Sequence, residues 1–433
     1  MQFVADFHIH SKYSRATSKD MDVDHLDKWA RIKGIKVLGT GDFTHHLWLK
    51  ELKEKLEPAE RGLFRLKNSF QSGLRGQNSI LSKFRIPDEE IRFVLTAEIS
   101  CIYSKNNKTR KVHLVILAPS FGVVDKINAH LGWIGNLKSD GRPILGLDAK
   151  EALKIVLSAS EDCLVVPAHA WTPHFSVFGS ASGFDSLEEC FDEYTKYIYA
   201  IETGLSSDPS MNWRLSQLDK ITLISNSDSH SPTRIGREAN VLDVDLDYFS
   251  IIDVLKKHDQ RKFLYTVEFF PEEGKYHYDG HRNCKISFEP EETKKHKGIC
   301  PVCGKALTIG VMYRVVQLAD RPAGGKPEKT IPFKNMIPLD QIVADALGMG
   351  VASKKAQEAY RELINKLGTE FKILLEASRE DISSASSSEI AEGVTRVREG
   401  RVKIEPGYDG EYGKIKIFEN SEWGNLSTQK SLF

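Results

Sequence analysis

Seven short apolar runs separated by helix-like stretches fill the first 270 residues of this chain. FVADFHIH, IKVLGTGD, RFVLTAEISCIY, KVHLVILAP, CLVVPAHAW, IYAIETG and ITLISNSDSH read as strands, and VDHLDKWARIKG, AKEALKIVLSASE and SLEECFDEYTKY as helices between them. Strand and helix in alternation over this length predict an α/β fold, a (β/α) barrel rather than two unrelated domains. Asn106 and Asn107 between two strand-like runs predict a hairpin turn.

Side chains that bind metals sit on or at the ends of these strands. His8 and His10 alternate, so a strand would point both imidazoles to one side. Asp42 closes the second run, Glu98 lies in the third, His113 opens the fourth, His169 follows VVPA in the fifth, and Asp228 and His230 end the seventh. Imidazoles with carboxylates suit a cluster of divalent ions such as Zn, Mn or Mg. Such ions lower the pKa of a bound water and clamp a phosphoryl oxygen, and Asp228, His230 and Glu98 are expected to carry the catalytic step.

A change of composition near residue 271 opens a segment dense in His, Cys and turn residues. His281-x-x-Cys284 and Cys300-x-x-Cys303 have the spacing of a closed tetrahedral site for one structural zinc, with His277 and His296 as alternatives to His281. RPAGGKPEKT then reads as a linker. The expected units are 1–270, a metal-dependent phosphoesterase; 271–325, a zinc module; 326–420, a helical DNA-binding domain; and 421–433, a flexible tail. In the third, Gly348-x-Gly350 reads as the turn of a helix-hairpin-helix that offers backbone N–H groups to a phosphate, with Lys354 and Lys355 adding charge. Residues 61–85 interleave Arg and Lys with Phe64, Phe70 and Phe84, a pattern able to track a nucleic-acid strand. No G-x-x-x-x-G-K-[ST] loop occurs, which argues against an ATPase.

With 60 basic and 60 acidic residues the net charge is zero, so a nucleic-acid partner must be held by local patches. No apolar run reaches the roughly 18 residues of a membrane span. Without a leader-like start, the expectation is a cytoplasmic, nucleoid-associated protein with no membrane partner, and a monomer.

The H-x-H-S run, Glu98, His113, the P-A-H ending at His169 and the S-D-S-H ending at His230 resemble the polymerase and histidinol phosphatase (PHP) domain over about residues 1–270. That resemblance implies a distorted (β/α)7 barrel holding two or three metals. TGDFTHH stands where the family usually has T-D-H, leaving Asp42 as the natural ligand and His45 or His46 as substitutes. GTGD, PAHAWTP, SNSDSHSP, CPVCGKALTIG and PGYDGEYG extend the resemblance, over nearly the whole length, to the endonuclease Q family. It implies a repair nuclease cutting DNA 5′ of uracil, hypoxanthine, xanthine and abasic sites; Trp171 and Phe175 are expected near the base pocket. The final QKSLF, through Gln429, Ser431, Leu432 and Phe433, resembles a sliding-clamp-binding peptide. A phosphatase of small esters is the alternative function.

Overall fold

The computed structural model describes residues 1–71 and 80–419. The fold is mixed α/β. Each expected strand forms: Gln2–Asp6, Val37–Gly39, Arg92–Lys105, Lys108–Ala118, Leu164–Pro167, Ala200–Glu202 and Thr222–Ile224. The first three pair in parallel, and Arg92–Lys105 folds back antiparallel on Lys108–Ala118. That hairpin turns on Asn106 and Asn107, both at positive φ (54° and 56°), the backbone a tight two-residue turn requires. Leu164–Pro167 adds antiparallel to Lys108–Ala118, and Ala200–Glu202 pairs in parallel with Thr222–Ile224. The N–H of Ala170 donates to Glu202 O, and an isolated bridge joins Ile9 to Ser229. Seven chain segments are thus brought side by side in sequence order, the last beside the first.

The first strand is shorter than its apolar pattern. Phe7 N–H donates to Asn226 Oδ1 (2.8 Å), and the N–H groups of Ser227 and Gly236 converge on the Asp6 carboxylate. Side chains have taken the place of a strand ladder just before His8 and His10. Further strands were not expected, among them Ala239–Asp243, which lies antiparallel to Gln2–Asp6, and Phe263–Glu268 outside it.

The helices follow their apolar spacing and their caps. Val23–Lys33 starts at Asp22, whose side chain accepts from His25 N, ends at Gly34, and buries Val23, Leu26, Ala30 and Lys33. Ala149–Ala159 is capped by Asp148 and buries Ala149, Ala152, Leu153 and Val156. SLEECFDEYTKY is not one helix. It breaks after Phe191 into a 3-10 turn, because Asp192 at φ 48° swings its carboxylate to Lys105 and Lys150, each 2.9 Å away.

In the 271–325 segment Asp279–His281 pairs antiparallel with Ile286–Phe288. After the Pro- and Gly-rich stretch, Phe333–Asn335 adds in parallel to Phe263–Glu268. Ile337, Leu339, Ile342 and Val343 join the core cluster that also holds Ile35, Leu38 and Phe43. Helices Leu339–Ala346, Lys354–Leu367, Glu370–Leu375, Arg379–Ala385 and Ser388–Arg398 follow, and then Lys403–Glu405 pairs antiparallel with Lys414–Lys416. No helix among the described residues is long and apolar enough to cross a membrane.

Candidate metal centre

Two groups of potential ligands meet at Glu98. His8, His10, Glu98 and Asp228 form one, and Glu98, His113 and His169 the other; within each group the ligand atoms lie within 4.8 Å of one another. The two oxygens of Glu98 divide the work. Oε1 lies 2.7 Å from His113 Nδ1 and 3.1 Å from His169 Nε2; Oε2 lies 3.3 Å from His10 Nε2 and 3.6 Å from His8 Nε2. The side chain of Asp228 is 25 % exposed while those of His8, His10 and Glu98 are at most 1 % exposed, so the centre opens to solvent on the Asp228 side.

The atoms facing the middle of the first group have no other use. His8 Nε2, His10 Nε2 and Asp228 Oδ1 are buried and none makes a well-directed hydrogen bond, although the Asp228 oxygen is 3.1 Å from His10 Nε2 and 3.7 Å from His8 Nε2. Converging lone pairs without donors fit a divalent cation. The surrounding carboxylates draw positive charge to these rings, either a proton or a cation that displaces it. Burial works against protonating His8 and His10, but Glu202 and Glu98 around the first, and Asp42 and Asp228 around the second, hold both well above the ordinary imidazole value. Burial also opposes ionisation of Glu98, yet the ring of His113 and the guanidinium of Arg142 keep it well below the usual carboxylate range. Burial pushes His113 down to about 4 even though Glu98 draws a proton toward it.

A second layer orients the candidate ligands. Glu202, absent from the sequence reading, holds His8 Nδ1 and also accepts from His169 N (2.8 Å) and Asn226 Nδ2 (2.9 Å). Arg142, also unanticipated, donates to Glu98 Oε2 (2.9 Å). Thr172 Oγ1 lies 3.1 Å from His169 Nδ1. Asp42, expected as a ligand, belongs to this layer: its carboxylate is occupied by His10 Nδ1 (3.0 Å), Ser11 N and Oγ, and Ser14 Oγ. His230 stands beside His10, ring centroids 4.5 Å apart, with Nδ1 3.1 Å from Asp228 O, and joins neither group. His45 stacks on Tyr13 instead.

The backbone is strained at this centre. Asp42, His169 and Asp228 adopt positive φ (48°, 30° and 45°), a conformation L-residues avoid unless surrounding contacts impose it. Gly204 makes room for one of them: a Cβ there would lie 2.5 Å from His169 Cβ.

The structure also brings His281, Cys284, Cys300 and Cys303 together, ligand atoms within 4.8 Å of one another. Removal from water works against the Cys300 thiolate, but the N–H groups of Cys303 and Val302 point at it and hold its pKa below the ordinary value. His277 is buried apart from this group, and His296 stacks on Phe288 beside Glu292. Gly348, at φ 62°, and Gly350 lie exposed between two helices, and Lys354 and Lys355 begin the second of them, exposed, after the cap Ser353.

Other expectations are corrected. Phe64 is buried in the core, Phe70 packs against it, and Phe84 lies against Trp29 and Tyr360, so these rings are spent on packing rather than offered to bases. Trp171 is 1 % exposed with Nε1 bonded to Asn212, a core residue and not a pocket wall. Phe175 does lie by the centre, 4.7 Å from the His113 ring. Gln429, Ser431, Leu432 and Phe433 lie outside the described residues, as does part of the basic 61–85 segment.

Residues 338–401 match the family model described as the MJ0043 C-terminal domain. Two curated relatives are each 34 % identical: the uncharacterized protein MJ0043 of Methanocaldococcus jannaschii over 266 residues, and the uncharacterized protein YqxK of Bacillus subtilis over 255. These matches cover 59 % and 58 % of this chain but only 32 % and 61 % of the relatives' own lengths. Among solved structures, the lesion-specific endonuclease PfuEndoQ of Pyrococcus furiosus is 28 % identical, with a TM-score of 0.82 over 98 % of this chain and 99 % of that one. Endonuclease Q in complex with a 27-mer duplex carrying an abasic lesion at its active site is likewise 28 % identical, TM-score 0.82, over the whole of both chains. Likeness of this extent, at TM-score 0.82 and 28 % identity, makes this chain similar over its whole length to endonuclease Q.

Proposed function

We propose that this protein is a divalent-metal-dependent DNA repair endonuclease that cuts the phosphodiester 5′ of deaminated bases and abasic sites. The observation that carries the reading is the sharing of Glu98 by two buried ligand groups, on a chain similar end to end to an endonuclease solved with a lesion-bearing duplex. In this reading residues 1–270 are a distorted seven-stranded PHP barrel, 271–325 a module closed by one structural zinc, and 326–420 a helical DNA-binding unit. Gly348, Gly350, Lys354 and Lys355 would grip a phosphate, and 421–433 would be a tail for a clamp. The setting would be cytoplasmic.

His8, His10, Glu98 and Asp228 would hold one ion and Glu98, His113 and His169 another. Bound there, the ions supply Lewis acidity and a water of lowered pKa. The chain's own part is positional. Glu202 and Asp42 fix the rings of His8 and His10, Arg142 fixes the shared carboxylate, and the open Asp228 side admits the phosphate. Hydrolysis leaves a 3′-hydroxyl and a 5′-phosphate.

The test is incision of an end-labelled duplex with one deoxyuridine, deoxyinosine or abasic site, beside an undamaged control, with Mg or Mn and then with EDTA. One metal-dependent cut 5′ of the lesion is expected. Equal cutting of undamaged DNA would overturn the lesion specificity; hydrolysis of small phosphomonoesters with no cut in any DNA would replace the nuclease by a phosphatase.

A further inference from the structure

The helix Phe121–Ile134 buries Val124, Ile127 and Leu131 but ends on a bare aromatic ring: Trp133 is 91 % exposed. Ile134, next to it in the chain, and Ile144, whose carbonyl oxygen is 3.6 Å from the Cβ position of Gly135, are 38 % and 62 % exposed. An indole left in water has no folding reason to be there, and exposed apolar groups gathered in one place mark a contact surface.

The chain that follows Trp133 is pressed onto the metal centre. Gly141 N–H donates to Tyr13 O and Gly141 O accepts from Thr44 Oγ1, both at 3.1 Å. A Cβ on Gly141 would lie 2.2 Å from Asp42 Oδ2 and from Ser14 Oγ. Arg142 reaches Glu98, and Ile144 pairs with Ser100, two residues from Glu98. The segment that carries Ile144 is therefore tied to the metal centre, and Trp133 stands at the end of the helix that leads into it.

The surroundings select the occupant. Lys126 and Lys138 are exposed on the same helix and loop, and Arg142, paired with Glu98, is half-exposed. Asp125 pairs with Lys53 (2.6 Å), and Asp140, which accepts from Arg142 N (3.0 Å), faces the charge of Arg142. An aromatic ring within a cationic rim fits a nucleic-acid strand, whose phosphates meet the charges while a base meets the ring.

We propose that Trp133, flanked by Ile134 and Ile144, is a wedge that stacks on a base of duplex DNA next to the strand held at the metal centre. An apolar side chain entering a base step unstacks it and bends the duplex, which helps a damaged nucleotide leave the helix. This rests on the nuclease reading above and extends it to a positioning residue.

The test compares the full-length protein with Trp133→Ala and Trp133→Phe. The substrates are an abasic duplex with 2-aminopurine beside the lesion and bis(p-nitrophenyl) phosphate. The ratio of duplex to small-ester turnover should fall about tenfold or more in Trp133→Ala. Trp133→Phe should recover most of it. The 2-aminopurine emission change on binding, read in EDTA, should be seen with wild type and Phe but not with Ala. Duplex cutting and emission identical in wild type and Trp133→Ala would overturn the wedge and leave the nuclease reading standing. Small-ester hydrolysis with neither binding nor cutting of DNA would overturn both. A wild-type dimer that Trp133→Ala converts to monomer would show instead that the patch is covered by a second copy.

Discussion

Both carboxylate oxygens of Glu202 lie against Nδ1 of His8, at 3.0 and 3.1 Å, and turn the ring's other nitrogen toward Glu98 and Asp228. A carboxylate behind a histidine ligand sets its tautomer and raises its basicity. Glu202→Gln should therefore weaken metal binding about 10- to 100-fold. Titration with Mn or Zn checks this; wild-type affinity in the variant would remove Glu202 from the orienting layer.

Asp228 combines a buried unpartnered oxygen with the most exposed side chain of its group. Asp228→Asn keeps the shape and removes the charge. Cleavage of a lesion duplex should drop at least about 100-fold while the Kd for DNA, measured in EDTA, stays within about threefold. Full activity in this variant would contradict the ligand assignment.

Gly204 has φ 63° and no space for a Cβ against His169. Gly204→Ala should cost about 1–3 kcal/mol of stability and shift His169 away from Glu98. A lower Tm together with weaker metal binding is the expected pair of results; unchanged values of both would mean that the backbone there yields easily.

Glu268 is fully buried, and that burial pushes its carboxyl up to about 8 despite hydrogen bonds from Thr203 and Ser225. The unfolded chain releases this proton near 4.5. The residue's contribution to stability is thus fully present below pH 4.5 and is lost as pH rises through about 8, because the unfolded state binds fewer protons in that window. Glu268→Gln cannot titrate. The Tm of the variant relative to wild type should rise between pH 5 and pH 9, and a constant difference would show that Glu268 is ionised in the folded protein.

Cys300 is the buried member of the cysteine and histidine group. Cys300→Ser should lower zinc content by one per chain and make residues 271–325 sensitive to protease, since a small segment of this kind draws much of its folding energy from the metal. Intact zinc stoichiometry in this variant would assign the site to other ligands.

What was legible in the sequence was local or periodic. Apolar runs and caps are short-range signals, so the seven strands, the Asn106-Asn107 hairpin and helices such as Val23–Lys33 and Ala149–Ala159 were readable from spacing alone. SLEECFDEYTKY misled because Asp192 answers to lysines on other elements. The aromatic residues of the 61–85 segment misled because composition does not say which face of a ring is buried.

At the centre, residue type and position within a motif named His8, His10, Glu98, His113, His169 and Asp228, all of which converge. Sequence by itself determined which groups capable of holding a metal stand at the strand ends, since that depends only on chemistry and chain order. The tertiary structure decided their ranks. Asp42 became a support because Ser11, Ser14 and His10 consumed its oxygens, and Glu202 and Arg142 entered from distant runs that carry no motif. Whether a carboxylate binds an ion or orients a ligand depends on which atoms its lone pairs meet, and only the packed chain brings those atoms together.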